Sequence, residues 1–387
     1  MTRAVLLGDI AKIGDGLHGT PMYDTSGSIP FINGNNLDGG KILIKSDTKM
    51  CSIKTFEKYR KNISCNTILL SINGTIGNLA KYDGGHYVLG KSACYIDILD
   101  VSRITKDYLY YLCSGKYFQE FIKTEATGTT IKNVPLKALR NFKFNLPELH
   151  EQKQITNILG TIDEKIELNR KMNKTLEQLG QALFREYFIN NPEAKNWPKG
   201  KVSDLGAVIT GKTPSKTKSE YFGGEIQFLK VPDMHGQSIV IKTSDSLTKE
   251  GAASQKGKLI PKYSTCVSCI ATVGLVSLAG SNLQTNQQIN SIIPKIQEYK
   301  FYNYLVMLDK TELIKTMASG GTATPNLNKG HFENIKVTLP PIDVLAQFDM
   351  RVANIFEKIE LNMREVENLQ RLRDSLLPLL ISGKLKV

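Results

Sequence analysis

Two stretches of this chain carry apolar residues at three-and-four spacing over a length that no compact core requires. Ile155, Leu159, Ile162 and Ile166 lead on to Leu176, Leu179 and Leu183, and Phe356, Ile359, Val366, Leu369, Leu372 and Leu376 repeat the pattern further along. That spacing gathers them on one helix face and predicts an amphipathic rod in each place. The rods start just after prolines, Pro147 and Pro340-Pro341, where a missing N–H costs a helix little. Forty helical residues reach about 60 Å at 1.5 Å per residue, so each stripe needs a partner, and the other rod is the obvious one. Paired antiparallel, the rods form a spacer. Asn169 and Asn362 fall on the two seams near their midpoints, where a polar residue fixes coiled-coil register, and they are expected to face one another. The outer faces, with Arg170, Lys171, Glu177, Arg364, Glu365 and Arg371, remain for partners or solvent.

Outside the rods the pattern changes. Short β-rich runs such as 66–72, 226–231 and 266–270 alternate with Gly, Asn, Asp and Ser turns, whereas 107–122 and 300–318 have helical spacing. The chain is also written twice. Glu164-Lys165-Ile166-Glu167-Leu168-Asn169 recurs unchanged 193 residues later as Glu357 to Asn362, and the same offset carries Gly128 onto Gly321 and Leu146-Pro147 onto Leu339-Pro340. Further upstream an offset of 197 sets Ser71, Thr75 and Gly77 on Ser268, Thr272 and Gly274. The expected organisation is α+β: a globular domain over 1–146, a helical region over 147–190, a second globular domain over 191–339 and a second helical region over 340–387. The two domains are separated by a long antiparallel two-helix coiled coil with pseudo-two-fold symmetry.

Charge follows the same division. Residues 1–150 hold 19 Lys/Arg against 13 Asp/Glu and residues 197–341 hold 17 against 10, while 151–196 and 342–387 each balance at 7 against 7. The net +13 therefore sits wholly on the globular blocks, which suits two separate anionic contacts. Six scattered cysteines point to reduced thiols. Cys266-x-x-Cys269 has metal-like spacing, but its counterparts in the first repeat are Leu69 and Ile72, which have no ligating atoms, so both cysteines are expected as ordinary buried strand residues. No apolar run suits a membrane span or a signal core, so a cytoplasmic protein is expected. No Gly-rich phosphate loop ending in Gly-Lys-Ser/Thr occurs, nor an Asn/Asp-Pro-Pro-Tyr/Phe motif of adenine methylation.

Certain stretches fall in the same order in both halves. The first half has Gly16-Leu17-His18-Gly19-Thr20-Pro21, Ile29 to Asn36, Gly74-Thr75-Ile76-Gly77 and Thr127 to Asn133. The second has Gly211-Lys212-Thr213-Pro214-Ser215, Ala271-Thr272-Val273-Gly274 and Gly320 to Thr324. By these motifs, each set followed by a rod, the chain resembles the specificity subunits of type I restriction-modification systems over essentially its whole length. The resemblance implies a non-catalytic subunit that reads a bipartite site on double-stranded DNA through two target-recognition domains. It would bind two methylation subunits and, through them, two motor-nuclease subunits. Cofactors would then be none in this chain, with methyl donor, ATP and Mg confined to the partners. Alternatives are a methylation-only or silent specificity cassette, a self-contained nuclease or methyltransferase, and a DNA-bridging coiled-coil protein without sequence preference.

Turns rich in Gly, Thr and Pro suit phosphates, because backbone N–H and hydroxyl groups gather there. They supply His18, Thr20, Thr129, Thr130, Thr213, Thr322 and Thr324 as candidates, with Lys12, Lys91, Lys132, Lys212, Lys216, Lys218 and Lys230 adding charge. Asn and Gln pair bidentately with adenine in the major groove, which singles out Asn33, Asn35, Asn36, Asn286, Gln287 and Gln288.

Overall fold

The structure is a computed structural model, and it describes residues 3–320 and 324–387. Its class is α+β, and it divides into two compact units: residues 1–165 with 369–387, and residues 166–368. Both long helices contribute to each unit. The first spans Leu149–Phe184 and continues as a π-helical turn, Arg185–Ile189; the second spans Ile342–Ile381.

In the first unit the central sheet has the order Ala11–Asp15, Ala93–Ile98, Thr67–Ser71, Leu79–Lys81, all antiparallel. A smaller sheet sets Ile29–Ile32 between Met50–Cys51 and Val88–Leu89, with the Val88–Leu89 pairing parallel. The second unit repeats the plan. Gly206–Thr210, Ile289–Pro294, Thr265–Ser268 and Val276–Ala279 keep the same order, extended by Ile239–Val240. Phe222–Leu229 likewise pairs in parallel with Leu283–Thr285. In each unit a two-stranded ladder, Arg3–Leu6 with Lys143–Leu146 or Lys199–Lys201 with Lys336–Thr338, lies just ahead of a long helix.

The cores explain the cysteine pair. Residues three apart on a strand point to opposite faces, and Cys266 packs with Leu229, Ile260 and Leu283 while Cys269 packs with Phe301 and Ile314. Leu69 and Ile72 are split between two clusters in the same way. Burial pushes both thiols up to about 12, which keeps them protonated core side chains.

Within the second unit the helices run antiparallel. Asn169 donates to Glu365 Oε2 at 2.8 Å, Asn362 to Asn173 Oδ1 at 2.8 Å, and Asn173 to the carbonyl of Ile359 at 3.3 Å. Asn169, Asn173 and Asn362 are all buried. The two equivalent asparagines therefore lie on the seam but do not hydrogen-bond each other. The observed pairs place the level at which a residue meets its own counterpart near Arg170 and Met363, about one residue further along, so each asparagine finds a partner from the adjoining turn. Leu179 and Leu372, expected on the seam, are 48% and 46% exposed; a 3.6-residue helix drifts off a strict repeat. Leu377 and Leu380 enter the first unit's core instead.

A second constraint fixes the globular part of this unit to its helix. Glu360 is buried, and accepts from Lys262 Nζ at 2.9 Å, Tyr263 Oη at 2.7 Å and Arg364 Nη2 at 2.8 Å. Tyr263 holds a left-handed backbone, φ 64°, an uncommon conformation for a side chain of this size.

Asn362→Leu should leave the buried Asn173 Oδ1 without its donor and cost about 1–3 kcal/mol in a denaturant titration. Replacing Asn173 and Asn362 together by Leu should cost less than the single change. Burial raises the Glu360 pKa, but its three donors outweigh that and hold it below the ordinary glutamate range. The carboxylate therefore stabilises the fold above about pH 4.3, and this contribution disappears as pH falls through the lower folded value. Melting followed from about pH 6 to pH 3 should fall less steeply for Glu360→Gln than for the parent chain.

Candidate nucleic-acid interface

The last residue beyond the central strand of each unit ties separate loops together. In the first unit Ile72 donates its N–H to Ser92 O at 3.0 Å and accepts from Val134 N at 2.9 Å. In the second, Cys269 donates to Gln288 O and accepts from Leu327 N, both at 2.8 Å. Around this point the other motifs arrive by equivalent bonds. Leu17 N reaches Leu89 O at 2.7 Å as Lys212 N reaches Thr285 O at 2.9 Å, and Gly90 N reaches Ile32 O at 2.8 Å as Asn286 N reaches Leu229 O at 3.0 Å. Gly77 N and Gly274 N return to Ser71 O and Ser268 O. Glycine is required at the entry: a Cβ on Gly16 would lie 2.1 Å from Leu89 O, and one on Gly211 2.2 Å from Asn286 O.

Most sequence candidates meet at this loop edge. In the first unit the turn bearing His18 and Thr20 joins the Asn33–Asn36 turn through the segment 89–92, where Ser92 Oγ donates to Asn33 Oδ1 at 3.0 Å and accepts from Gly34 N at 2.9 Å. His18 is exposed, with a ring nitrogen 2.6 Å from Asp15. On the other side of Ile72, Gly74–Ile76 and Thr130–Lys132 line a cleft of about 560 Å³ with Lys123. Thr129, Thr130 and Lys132 are exposed, as is Lys91 in the 89–92 segment. In the second unit Lys212 and Lys216 are exposed, and Gln287 Oε1 accepts from Thr213 Oγ1 at 2.6 Å.

Other candidates have their polar groups occupied within the fold. Asn36 is buried: its Oδ1 caps Asn33 N at 3.0 Å and its amide donates to Leu43 O and Thr48 Oγ1, each at 3.0 Å. Its counterpart Asp233 does the same for Lys230 N at 3.0 Å. Asn286 is buried in a turn, bonded to the Gln288 side chain at 2.8 Å and to Gln288 N at 3.2 Å. The Lys230 ammonium pairs with Asp245 at 2.6 Å, and that of Lys218 bonds the Tyr221 hydroxyl at 3.1 Å. Lys12 sits opposite Asp97, near the far end of its strand from the loop edge. Asn35 is exposed, and its carbonyl takes Lys45 Nζ at 2.6 Å. Thr324 is exposed, and Thr322 lies outside the described residues. No motif flags Ser92 and Lys123, because their roles depend on neighbours distant in sequence, or Asp15, which stands three residues before His18 and meets its ring.

These features define a class: a duplicated α+β protein in which two loop edges of one backbone design carry different side chains, each unit bracing them with a share of two long helices. A family model described as the type I restriction modification DNA specificity domain matches residues 4–178 and again 194–371, and the chain belongs to that family. It is 32% identical to the type I restriction enzyme HindI specificity subunit of Haemophilus influenzae, over 73% of this chain and 78% of that one. To the MjaIX specificity subunit of Methanocaldococcus jannaschii it is 26% identical, over 93% and 88%. It shares its fold with the solved type I S subunit from M. genitalium, at a TM-score of 0.61 and 18% identity over 98% and 96% of the two chains.

Lys91→Ala and Lys212→Ala should each weaken DNA binding at every sequence and lower the salt slope by about one, measured by anisotropy titrations at several salt concentrations. Asn36→Ala should act differently, costing about 1–3 kcal/mol of stability through the lost cap and buried amide bonds, as read by denaturant unfolding.

Proposed function

We propose that each unit reads one half of a bipartite DNA target and that the chain directs methylation and restriction partners to it. One observation carries this reading: the two loop edges share their backbone bonding but differ in side chains, with Leu17, His18 and Lys91 in one where Lys212, Thr213 and Gln287 stand in the other; His18, Lys91, Lys212 and Gln287 are exposed, and Leu17 and Thr213 are half-buried. A common scaffold with different side chains is what two different half-sites require, since phosphates are met by backbone and charge while base edges are met by side chains. The basic balance of both globular blocks supports it.

The chain itself acts as a non-catalytic, cytoplasmic recognition subunit. Two methylation subunits bind it and two motor-nuclease subunits join through them, bringing the methyl donor, ATP and Mg. The antiparallel helix seam, with Asn169 and Asn362 fixing its register, sets the spacing between half-sites. The working boundaries are those of the repeat, near Pro147 and Pro340.

Exchanging residues 1–146 for the same block of a relative, followed by methylome sequencing with the cognate methylation subunit, should alter one half of a two-part motif and preserve the other. Simultaneous change of both halves would reject the modular reading. Labelled methyl donor mixed with the purified chain and DNA should give no incorporation, and incorporation beyond contamination would reject the non-catalytic one.

A further inference from the structure

The two units differ where each long helix ends. In the second unit Phe188 closes the first long helix at ring-centroid distances of 4.8 Å from both Tyr302 and Phe348. The chain then turns back through Asn191–Asn196 and lays Trp197 on the same cluster, 6.2 Å from Phe188. Ala194 and Trp197 are each only 8% exposed. By the repeat offset, Ile381 holds the place of Phe188 in the first unit, at the end of the second long helix. No described segment covers it there. Instead a cleft of about 700 Å³ opens between Tyr117, Phe144, Pro378, Leu379 and Ile381, with Tyr117 66% and Leu379 41% exposed. Its rim carries Lys116, Lys143 and Lys384 against the single acid Glu120.

We propose that this cleft is a docking site for a short, acidic segment of a partner protein that inserts a tryptophan or similar aromatic side chain, as residues 190–198 do within the second unit. The second unit shows which kind of segment covers this position of the repeat, and the lysine rim sets its preferred charge. The inference is independent of DNA reading, because the cleft is lined by the helix end and the Lys143–Leu146 strand, and none of the loop-edge residues contributes to it.

The probe is a fluorescein-labelled peptide of residues 190–198 titrated into the full chain. Saturable binding is expected, and alanine in place of the tryptophan should weaken it at least about tenfold. A peptide carrying Lys195→Glu should bind more tightly at low salt and lose that advantage at about 0.5 M. Leu379→Arg, at an exposed position, should abolish binding with an unchanged melting temperature; Tyr117→Ala serves if that variant fails to fold. No saturable binding up to about 1 mM, binding indifferent to the tryptophan, or binding that survives both substitutions would each overturn the proposal.

Discussion

A single residue at the end of each central strand, Ile72 in one unit and Cys269 in the other, has both its N–H and its carbonyl committed to loops from other parts of the chain. Both residues are buried, where an unpaired backbone group costs about 1–3 kcal/mol. The loops are thus held at the strand end by a requirement that any sequence with this fold must meet. Side chains further out are free of it. This separation lets one backbone present different surfaces in its two copies without endangering either core.

The same logic explains which polar residues are structural. Asn36 and Asp233 occupy equivalent places and cap equivalent turns through the same backbone bond, so a carboxylate or an amide serves equally and neither is available to a ligand. Asn33 and Lys230 are also equivalent, but one is held by a serine hydroxyl and the other by an aspartate. The cap on this turn is thus consumed in both copies, whereas exposed His18 and Lys91 stand where the other copy has Thr213 and Gln287.

The helices show a comparable division of labour. Apolar residues such as Ile155, Leu159, Ile162, Val352 and Ile359 supply the burial, while Asn169, Asn173, Asn362 and Glu365 bond across the seam at its polar centre. An apolar seam slides at little cost, whereas a slip here would set amides against aliphatic side chains. Glu360 adds a third layer by joining the helix to Lys262 and Tyr263 of the neighbouring turn.

Much of this was legible in the sequence, for physical reasons. Helical periodicity and internal repetition are local or linear signals, so the two rods, the duplicated α+β blocks and the placement of Cys266 and Cys269 as core residues could be read directly. The convergence of Gly16–Pro21, Asn33–Asn36, Gly74–Gly77 and Thr127–Asn133 could not, because it depends on strand order and on backbone bonds spanning tens of residues. Tertiary structure also decided which amides are consumed. Asn35 and Asn36 are adjacent and chemically identical, yet one is exposed and the other buried with its oxygen and amide both bonded, since burial is set by what packs against a residue and not by the residue itself.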